Sequence, residues 1–412
     1  MNCWESWFHN NTTINDNTSV EFQIRVTSYK SKLIHTKAIA QRIQNGIIKA
    51  LEKVTTTTQQ KSTSNESKSN KTIITIPILA RLDRDIIQLS IDTSPTPMHQ
   101  RGYKFETGKA PLREDIAYSM LYASGWNNTN NNDTTNILID PFCGAGTIAI
   151  EGAAMKLGLC PGRLRDTPLV GTNLYNPIRW EELKQEATTN NNNNNTNFKI
   201  MASDRDEGVI QLAKNNAKRA GITMILDDDD DKKNFNSNNK NNISISAQSV
   251  SEIQNYNFND DTTTNIHLIT NPPFGKRIQS SRKKTQRRID ELLPLYQTLG
   301  KCIIELRTKQ QQKQKRQQTE ETLNTTTVTN NDNDVSGDII SIDDDDDNDD
   351  ITTIKNNNNN RIEAVVLTNN TKLVYRMGLR NTKALFSTHH GGLPVAAMGY
   401  NIIIKRGCQQ IK

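Results

Sequence analysis

Apolar and polar residues alternate over residues 20–30 (VEFQIRVTSYK), the period of a strand with one buried face. Over residues 37–54 the spacing lengthens, and Ile39, Ile43, Ile47, Ile48 and Leu51 fall on one side of a helix. Two more strand-like runs follow at 72–79 and 86–91. Residues 20–100 thus predict a small α+β domain. From about Arg101 the rhythm changes. A helix is predicted over 114–126, with Glu114 and Asp115 favourable in its first turn. Strand 137–139 leads into helix 147–157, strand 198–203 into helix 206–220, and strand 243–247 precedes strand 265–270. Helix 285–305, strand 361–368 and an alternating end to 383–405 complete the pattern, the last as an antiparallel edge hairpin. Strands alternating with helices predict an α/β domain over residues 101–412, with a doubly wound, mainly parallel sheet.

Between these elements lie tracts of asparagine, threonine and aspartate at 55–70, 127–136, 188–197, 227–242 and 308–360. They lack the apolar residues that would offset the entropy of ordering, so they read as disordered insertions in surface loops. The cost of closing a loop grows slowly with length, so such inserts are compatible with the sheet. They also hide charge. The chain has 412 residues and a formal net charge of +6, but acidic runs at 227–231 and 343–350 fall inside the tracts. The remainder is therefore more basic than the total, which is consistent with a nucleic-acid partner. Cys3, Cys143, Cys160, Cys302 and Cys408 are scattered without metal-ligand spacing and read as reduced thiols, with no metal expected. No apolar run approaches a membrane span, and the start MNCWESWFHN has neither a signal-peptide nor a transit-peptide layout. An intracellular, cytoplasmic protein is expected, with organelle and nucleus left open. Oligomeric state leaves no mark in the sequence.

Three junctions carry candidate chemistry. The first, DPFCGAGT at 140–147, lies between a predicted strand and a predicted helix. Gly144 and Gly146 would let a ligand approach the backbone, and the amides from Cys143 to Thr147 would open on a helix N-terminus. The spacing is neither GxGxxG nor a P-loop, so a dinucleotide or nucleoside triphosphate is disfavoured. The second, MASDRDEG at 201–208, puts Asp204 at a strand's carboxyl tip, where an acid can take both ribose hydroxyls. Asp206 reads as the first helix residue, although the two roles could be exchanged. A strand-end acid without GxGxxG points to a nucleoside-type cofactor such as S-adenosylmethionine. After the next strand, Gln248 or Ser249 could meet an adenine amino group, or belong to a polar surface loop.

The third junction is LITNPPFGKRI at 268–278. Pro272 and Pro273 lack a backbone N–H, so the strand must stop at Asn271 and leave as a stiff turn. Asn271 offers an amide oxygen, Pro272 a free carbonyl and Phe274 a flat apolar face. Together they suit a planar group bearing an NH2.

DPFCGAGT, ASDRD and NPPFG, in that order, resemble the class I S-adenosylmethionine-dependent amino-methyltransferases. With RGYK (101–104), KAPLRE (109–114) and GW (125–126) ahead of them, they resemble more narrowly the THUMP-containing RNA guanine-N2 methyltransferases related to the bacterial 23S rRNA enzyme. Residues 25–43 and 88–94 look like the second half of a THUMP domain, so residues 20–100 are expected to be a partial THUMP-like RNA-binding domain. The family's acid after the third strand is replaced here by Gln248 or Ser249.

The resemblance implies a Rossmann-like fold and methyl transfer to guanine N2, in rRNA ahead of tRNA. It implies a catalytic corner of Asn271, Pro272, Pro273 and Phe274. A cofactor site is implied at Asp140, Phe142, Cys143, Gly144, Gly146, Thr147, Asp204, Gln248, Ser249 and Pro111. RNA contacts fall to Lys30, Lys32, His35, Lys37 and Arg277, although the loop at 27–37 reads equally well as merely soluble. The basic run at 281–288 is either a phosphate contact or a solvated helix start. Two other readings stay open: an N6-adenine or protein-glutamine methyltransferase, which shares the Asn-Pro-Pro-aromatic corner, and a catalytically silent RNA-binding protein.

Overall fold

The computed structural model of the protein describes residues 18–55, 72–94, 96–105, 111–127, 134–165, 175–189, 197–222, 241–256, 263–274, 282–329 and 362–401. The described residues within Met1–Gly102 and Cys160–Asn190 form one compact unit, and those within Tyr103–Leu159 and Asn191–Lys412 form another. The described residues 160–165 and 175–189 thus belong to the first unit, although they fall inside the 101–412 range that the motif order outlines.

In the first unit, strand β1 (Thr18–Tyr29) pairs in parallel with β2 (Thr72–Asp83), which pairs antiparallel with β3 (Ile86–Ile91). The parallel pair needs a crossover, and helix α1 (Thr36–Thr55) supplies it. Phe22, Ile76 and Ile78 make a small core, while Ile86, Ile87 and Leu89 of β3 are exposed. Arg165 fastens residues 94–97, its guanidinium donating to the Ser94 hydroxyl and to the Thr96 and Pro97 carbonyls at 2.6 and 3.1 Å.

The second unit is a seven-stranded sheet of order β6-β5-β4-β7-β8-β10-β9. Its strands are β4 (Thr134–Asp140), β5 (Phe198–Asp204), β6 (Asn241–Ala247), β7 (Thr263–Thr270), β8 (Ile362–Thr368), β9 (Lys383–His390) and β10 (Leu393–Tyr400). Strands β6 to β8 are parallel, and β10 runs antiparallel to both β8 and β9. Chain order reverses at β4: β5 and β6 extend one way and β7 onward the other. In such sheets the crevice for a ligand opens at the carboxyl ends of the strands flanking the reversal, here β4 and β7.

Helices α2 (Glu114–Ala123), α3 (Thr147–Lys156) and α5 (Glu207–Arg219) bury their apolar sides with Leu138, Ile200 and Val365. The opposite cluster joins Ile137, Ile139 and Leu268 to α6 (Arg282–Thr329) and the short α7 (Thr371–Tyr375). Ile137 and Ile139 face one side and Leu138 the other, as the twofold period of a strand requires. Strands buried on both faces read as apolar runs, which is why β4, β7 and β8 are plain in the sequence.

Three expectations need correction. Helix 285–305 runs on as α6 to Thr329, so the first part of the 308–360 tract is helical. Its Gln, Lys, Arg and Glu residues are good helix formers and include neither Gly nor Pro. Helix α4 (Pro177–Thr189) was not anticipated, and it reaches into the 188–197 tract. Strands β4 and β6 likewise begin within the 127–136 and 227–242 tracts. Apart from these segments and the flanking Thr55, Asn127 and Asn197, the five tracts lie outside the described residues. Among the described residues, no helix is long and apolar enough to cross a membrane.

Candidate functional site

The β4 end is built around a carboxyl group with nowhere to put its charge. Asp140 is fully buried. Its Oδ1 accepts from the Thr270 hydroxyl at 2.8 Å and from the Phe142 amide at 3.3 Å. Its Oδ2 is buried with no hydrogen-bond partner among the described residues. Burial dominates the balance and pushes the Asp140 pKa up to about 7, with Asp204 adding to the shift and the two hydrogen bonds opposing it. Thr270 is a residue that the motifs did not single out, although it stands directly before Asn271. It ties the head of the glycine turn to the foot of the prolyl turn.

The glycine turn is pinned from both sides. Gly146 has φ +79°, and a Cβ there would stand 3.0 Å from the Ala213 Cβ, so helix α5 packs where only glycine fits. The Asn216 amide donates to the Ala145 carbonyl at 3.0 Å. Gly144, with φ +50°, has open space where a Cβ would be. Cys143 N–H donates to the Ser203 carbonyl at 2.9 Å, Gly144 N–H to Asp204 Oδ2 at 3.1 Å, and Gly146 N–H to the Cys143 carbonyl at 2.8 Å. Of the amides from Cys143 to Thr147, expected to open on a helix N-terminus, these three are thus engaged within the protein. The Cys143 thiol is buried, and burial with the nearby Asp140 and Asp204 raises its pKa, so it stays protonated.

Asp204 and Asp206 separate cleanly. Asp206 is the N-cap of α5, its carboxylate accepting from Gly208 N–H at 2.9 Å. Asp204 takes Gly144 N–H on one oxygen and Asp206 N–H on the other, at 3.1 Å each. That leaves one lone pair on each oxygen for hydroxyl donors. Beyond β6, Gln248 N–H bonds the Asp204 carbonyl at 3.0 Å, and its side-chain oxygen accepts from the Tyr256 hydroxyl at 2.7 Å. Ser249 starts the next turn instead: its N–H donates to Glu252 Oε1 at 3.1 Å and its hydroxyl meets Ser251 at 3.1 Å. Of the two candidates after β6, Gln248 is the one tied to Asp204.

At the end of β7, Asn271 is half-buried, Pro272 buried, Pro273 exposed and Phe274 half-buried against the cluster holding Cys143 and Leu112. Asn271 Oδ1 is buried and has no partner among the described residues. A buried acceptor without a donor costs about 1–3 kcal/mol, so a ligand's N–H would stabilise it. Pro111 precedes α2, and its carbonyl faces the ring of His390. Lys104 donates to the Leu112 carbonyl at 2.7 Å and stands 3.4 Å from Glu114 in a buried pair, so RGYK and PLRE clasp each other. Residues 106–110 and Arg277 lie outside the described residues, as do the side chains of the basic run at 281–288.

In the first unit, Lys30, Lys32, His35 and Lys37 are all exposed on and after the loop that follows β1. Lys32 N–H donates to Asp85 Oδ1 at 2.6 Å and Asp85 N–H to the Ser31 hydroxyl at 2.9 Å. This joins the loop to the β2–β3 turn and adds the exposed Arg84 to the same basic group. Arg84 is distant in sequence, and only the pairing of β1 with β2 brings it there.

Residues 101–247 match the family model of the RMKL-like methyltransferase domain. Among similar proteins, the Ribosomal RNA large subunit methyltransferase K/L of Shewanella sp. (strain ANA-3) is 33% identical over 237 residues, covering 54% of this chain and 28% of its own length. That of Marinomonas sp. (strain MWYL1) is 31% identical over 231 residues, covering 56% and 28%. The chain therefore spans little over a quarter of the length of these relatives. Among solved structures, a "possible methylase" from Clostridium difficile 630 superposes with a TM-score of 0.60 at 20% identity, covering 98% of this chain and 78% of that one. SMU.472, a methyltransferase-type structure complexed with SAH, gives 0.58 at 18% identity, covering 94% and 77%. Residues 101–247 are thus similar to the RMKL-like methyltransferase domain, and the second unit has a Rossmann-like class I methyltransferase fold.

Proposed function

We propose that the protein is an S-adenosylmethionine-dependent RNA methyltransferase that modifies the exocyclic N2 of a guanine, with ribosomal RNA as the substrate. The observation that carries the reading is Asn271 Oδ1, buried and without a partner among the described residues, directly after Thr270, whose hydroxyl is bonded to Asp140 at the head of the glycine turn. An acceptor that lacks a donor therefore adjoins a crevice suited to a nucleoside cofactor. The names of the relatives, rRNA large subunit methyltransferases, support the choice of substrate.

The residues present fit S-adenosylmethionine. Asp204 has lone pairs for two ribose hydroxyls, Gly144 leaves room for close approach, and the orphaned Asp140 Oδ2 suits a cationic or N–H-bearing group. When bound, that cofactor supplies an electrophilic methyl. The protein's own task is positioning. Asn271 Oδ1 and the Pro272 carbonyl would accept the two hydrogens of the amine, orienting its lone pair and offsetting the positive charge that develops there. The two prolines hold those acceptors rigid. Phe274 would stack on the base, a contact worth roughly 1–3 kcal/mol. The target guanine must leave its stack to enter such a corner.

The first unit, with its exposed Lys30, Lys32, His35 and Lys37, is read as a partial THUMP-like RNA-binding module. The test is transfer of labelled methyl from the cofactor to ribosomal RNA, followed by nucleoside mass spectrometry. Label in N2-methylguanosine is expected; label in adenine, in protein or nowhere would refute the proposal. Asn271→Ala is expected to lower transfer at least a hundredfold with cofactor affinity nearly unchanged, as removal of a positioned transition-state contact does.

A further inference from the structure

Two acceptors and a flat face suit any planar base that bears an exocyclic amine, adenine as well as guanine. The two bases differ at the adjoining ring nitrogen: guanine N1 carries a hydrogen, whereas adenine N1 is itself an acceptor. A pocket that selects guanine therefore gains from a third acceptor beside the first two.

His390 ends β9. Because β8 is parallel to β7, and β10 is antiparallel to both β8 and β9, His390 leaves the sheet at the same edge as Asn271. Its register is regular back to Phe386, so His390, Thr388 and Phe386 share one face of β9. Phe386 packs against the same apolar cluster as Phe274, together with Leu112 and Cys143. His390 is thus carried on the face and edge that hold the prolyl corner.

The His390 ring meets the Pro111 carbonyl, and its charged neighbours are Arg113, Lys104 and Asp115. Nδ1 is shut off from solvent and makes no well-formed hydrogen bond among the described residues. Burial, then Arg113 and Lys104, hold the pKa below the ordinary histidine value, against the opposing pull of Asp115 and the Pro111 carbonyl. The ring is therefore neutral at pH 7. A neutral imidazole has one N–H and one acceptor nitrogen, and a nitrogen turned to a carbonyl must be the N–H.

We propose that His390 is a specificity-determining residue of the target-base pocket, its other ring nitrogen accepting the N1–H of guanine beside the amine held by Asn271 and Pro272. This rests on the guanine-N2 reading above and adds a second point of recognition to it.

The test uses a short RNA covering the methylated guanine and the same RNA with 2-aminopurine at that position. 2-Aminopurine keeps the amine but has no N1–H. The 412-residue chain is expected to methylate guanine at least about tenfold faster, the order of one lost hydrogen bond. In His390→Ala the guanine rate falls by roughly that factor while the 2-aminopurine rate stays within about twofold, so the preference collapses. His390→Asn, which keeps an acceptor, restores part of it. Equal slowing on both RNAs, or a preference that survives in His390→Ala, overturns the proposal, with cofactor affinity measured by calorimetry showing that the variant is folded. A wild-type protein that methylates neither RNA instead overturns the guanine-N2 reading itself.

Discussion

At the scale of single residues, Asp140 combines burial, a missing partner and a displaced pKa. An aspartate that ionises near 3.8 when unfolded and near 7 when folded holds its proton more tightly in the native state. Its contribution is harmless below pH 4, where both states are protonated. Stability is then lost as pH climbs from about 4 to about 7, by roughly 4 kcal/mol at most. Asp140→Asn should flatten that part of a stability curve measured by chemical denaturation between pH 4 and 8. A cationic group of the cofactor next to Oδ2 would draw the pKa back down, so binding should release a proton and tighten as pH rises through 7. Calorimetry in buffers of different ionisation enthalpy reads that proton directly, and the Asn variant is expected to bind without releasing it. The aspartate itself was visible in the sequence as the head of DPFCGAGT. Its protonation was not, because that depends first on burial, which the folded sheet creates, and then on the balance between the opposing Thr270 hydrogen bond and the nearby Asp204. Asp204 against Asp206 was open for the same reason: identical side chains two residues apart differ in what the fold places at their tips.

At the scale of elements, the strands and the edge hairpin could be read from pattern, the outer ones by alternation and the central ones as apolar runs. What stayed hidden was where two elements touch. Gly300 lies inside α6, where propensity alone says that alanine would stabilise by about 1 kcal/mol. The structure reverses the sign: a Cβ at Gly300 would stand 2.0 Å from the Met377 carbonyl oxygen and 2.9 Å from its carbon. That is backbone just beyond α7 and cannot rotate away, so α6 would have to lift off the β8–α7 segment. Overpacking of this kind costs typically 1–3 kcal/mol beyond any propensity gain. Gly300→Ala is therefore expected to lower the thermal midpoint, whereas Gly46→Ala in α1, with nothing within 4 Å, is expected to raise it slightly. The run of α6 to Thr329 and the presence of α4 escaped the pattern because amide-rich and charged segments carry helix propensity without an apolar stripe.

At the scale of the whole molecule, the proposed function divides two tasks between the two units. The larger presents the glycine turn, Asp204 and the prolyl corner on one sheet edge; the smaller presents Lys30, Lys32, His35, Lys37 and Arg84 on its own surface. On the proposed function, exposed cations of this kind would mainly contact phosphates, setting affinity and its salt dependence and leaving the choice of methylated base to the larger unit. The division can be measured. Replacing Lys30, Lys32 and Lys37 together by glutamine removes up to three phosphate contacts. Each contact to single-stranded RNA contributes about 0.7 to the slope of log affinity against log salt concentration, so the slope should shrink by about 2. The rate at saturating RNA should stay near that of the wild type, because no group at the reacting amine has changed. Asn271→Ala should do the opposite, leaving the salt slope intact while removing the rate. A lysine variant that lost its rate at saturation would show that the basic loop takes part in seating the target base, and the two units could then no longer be assigned separate tasks.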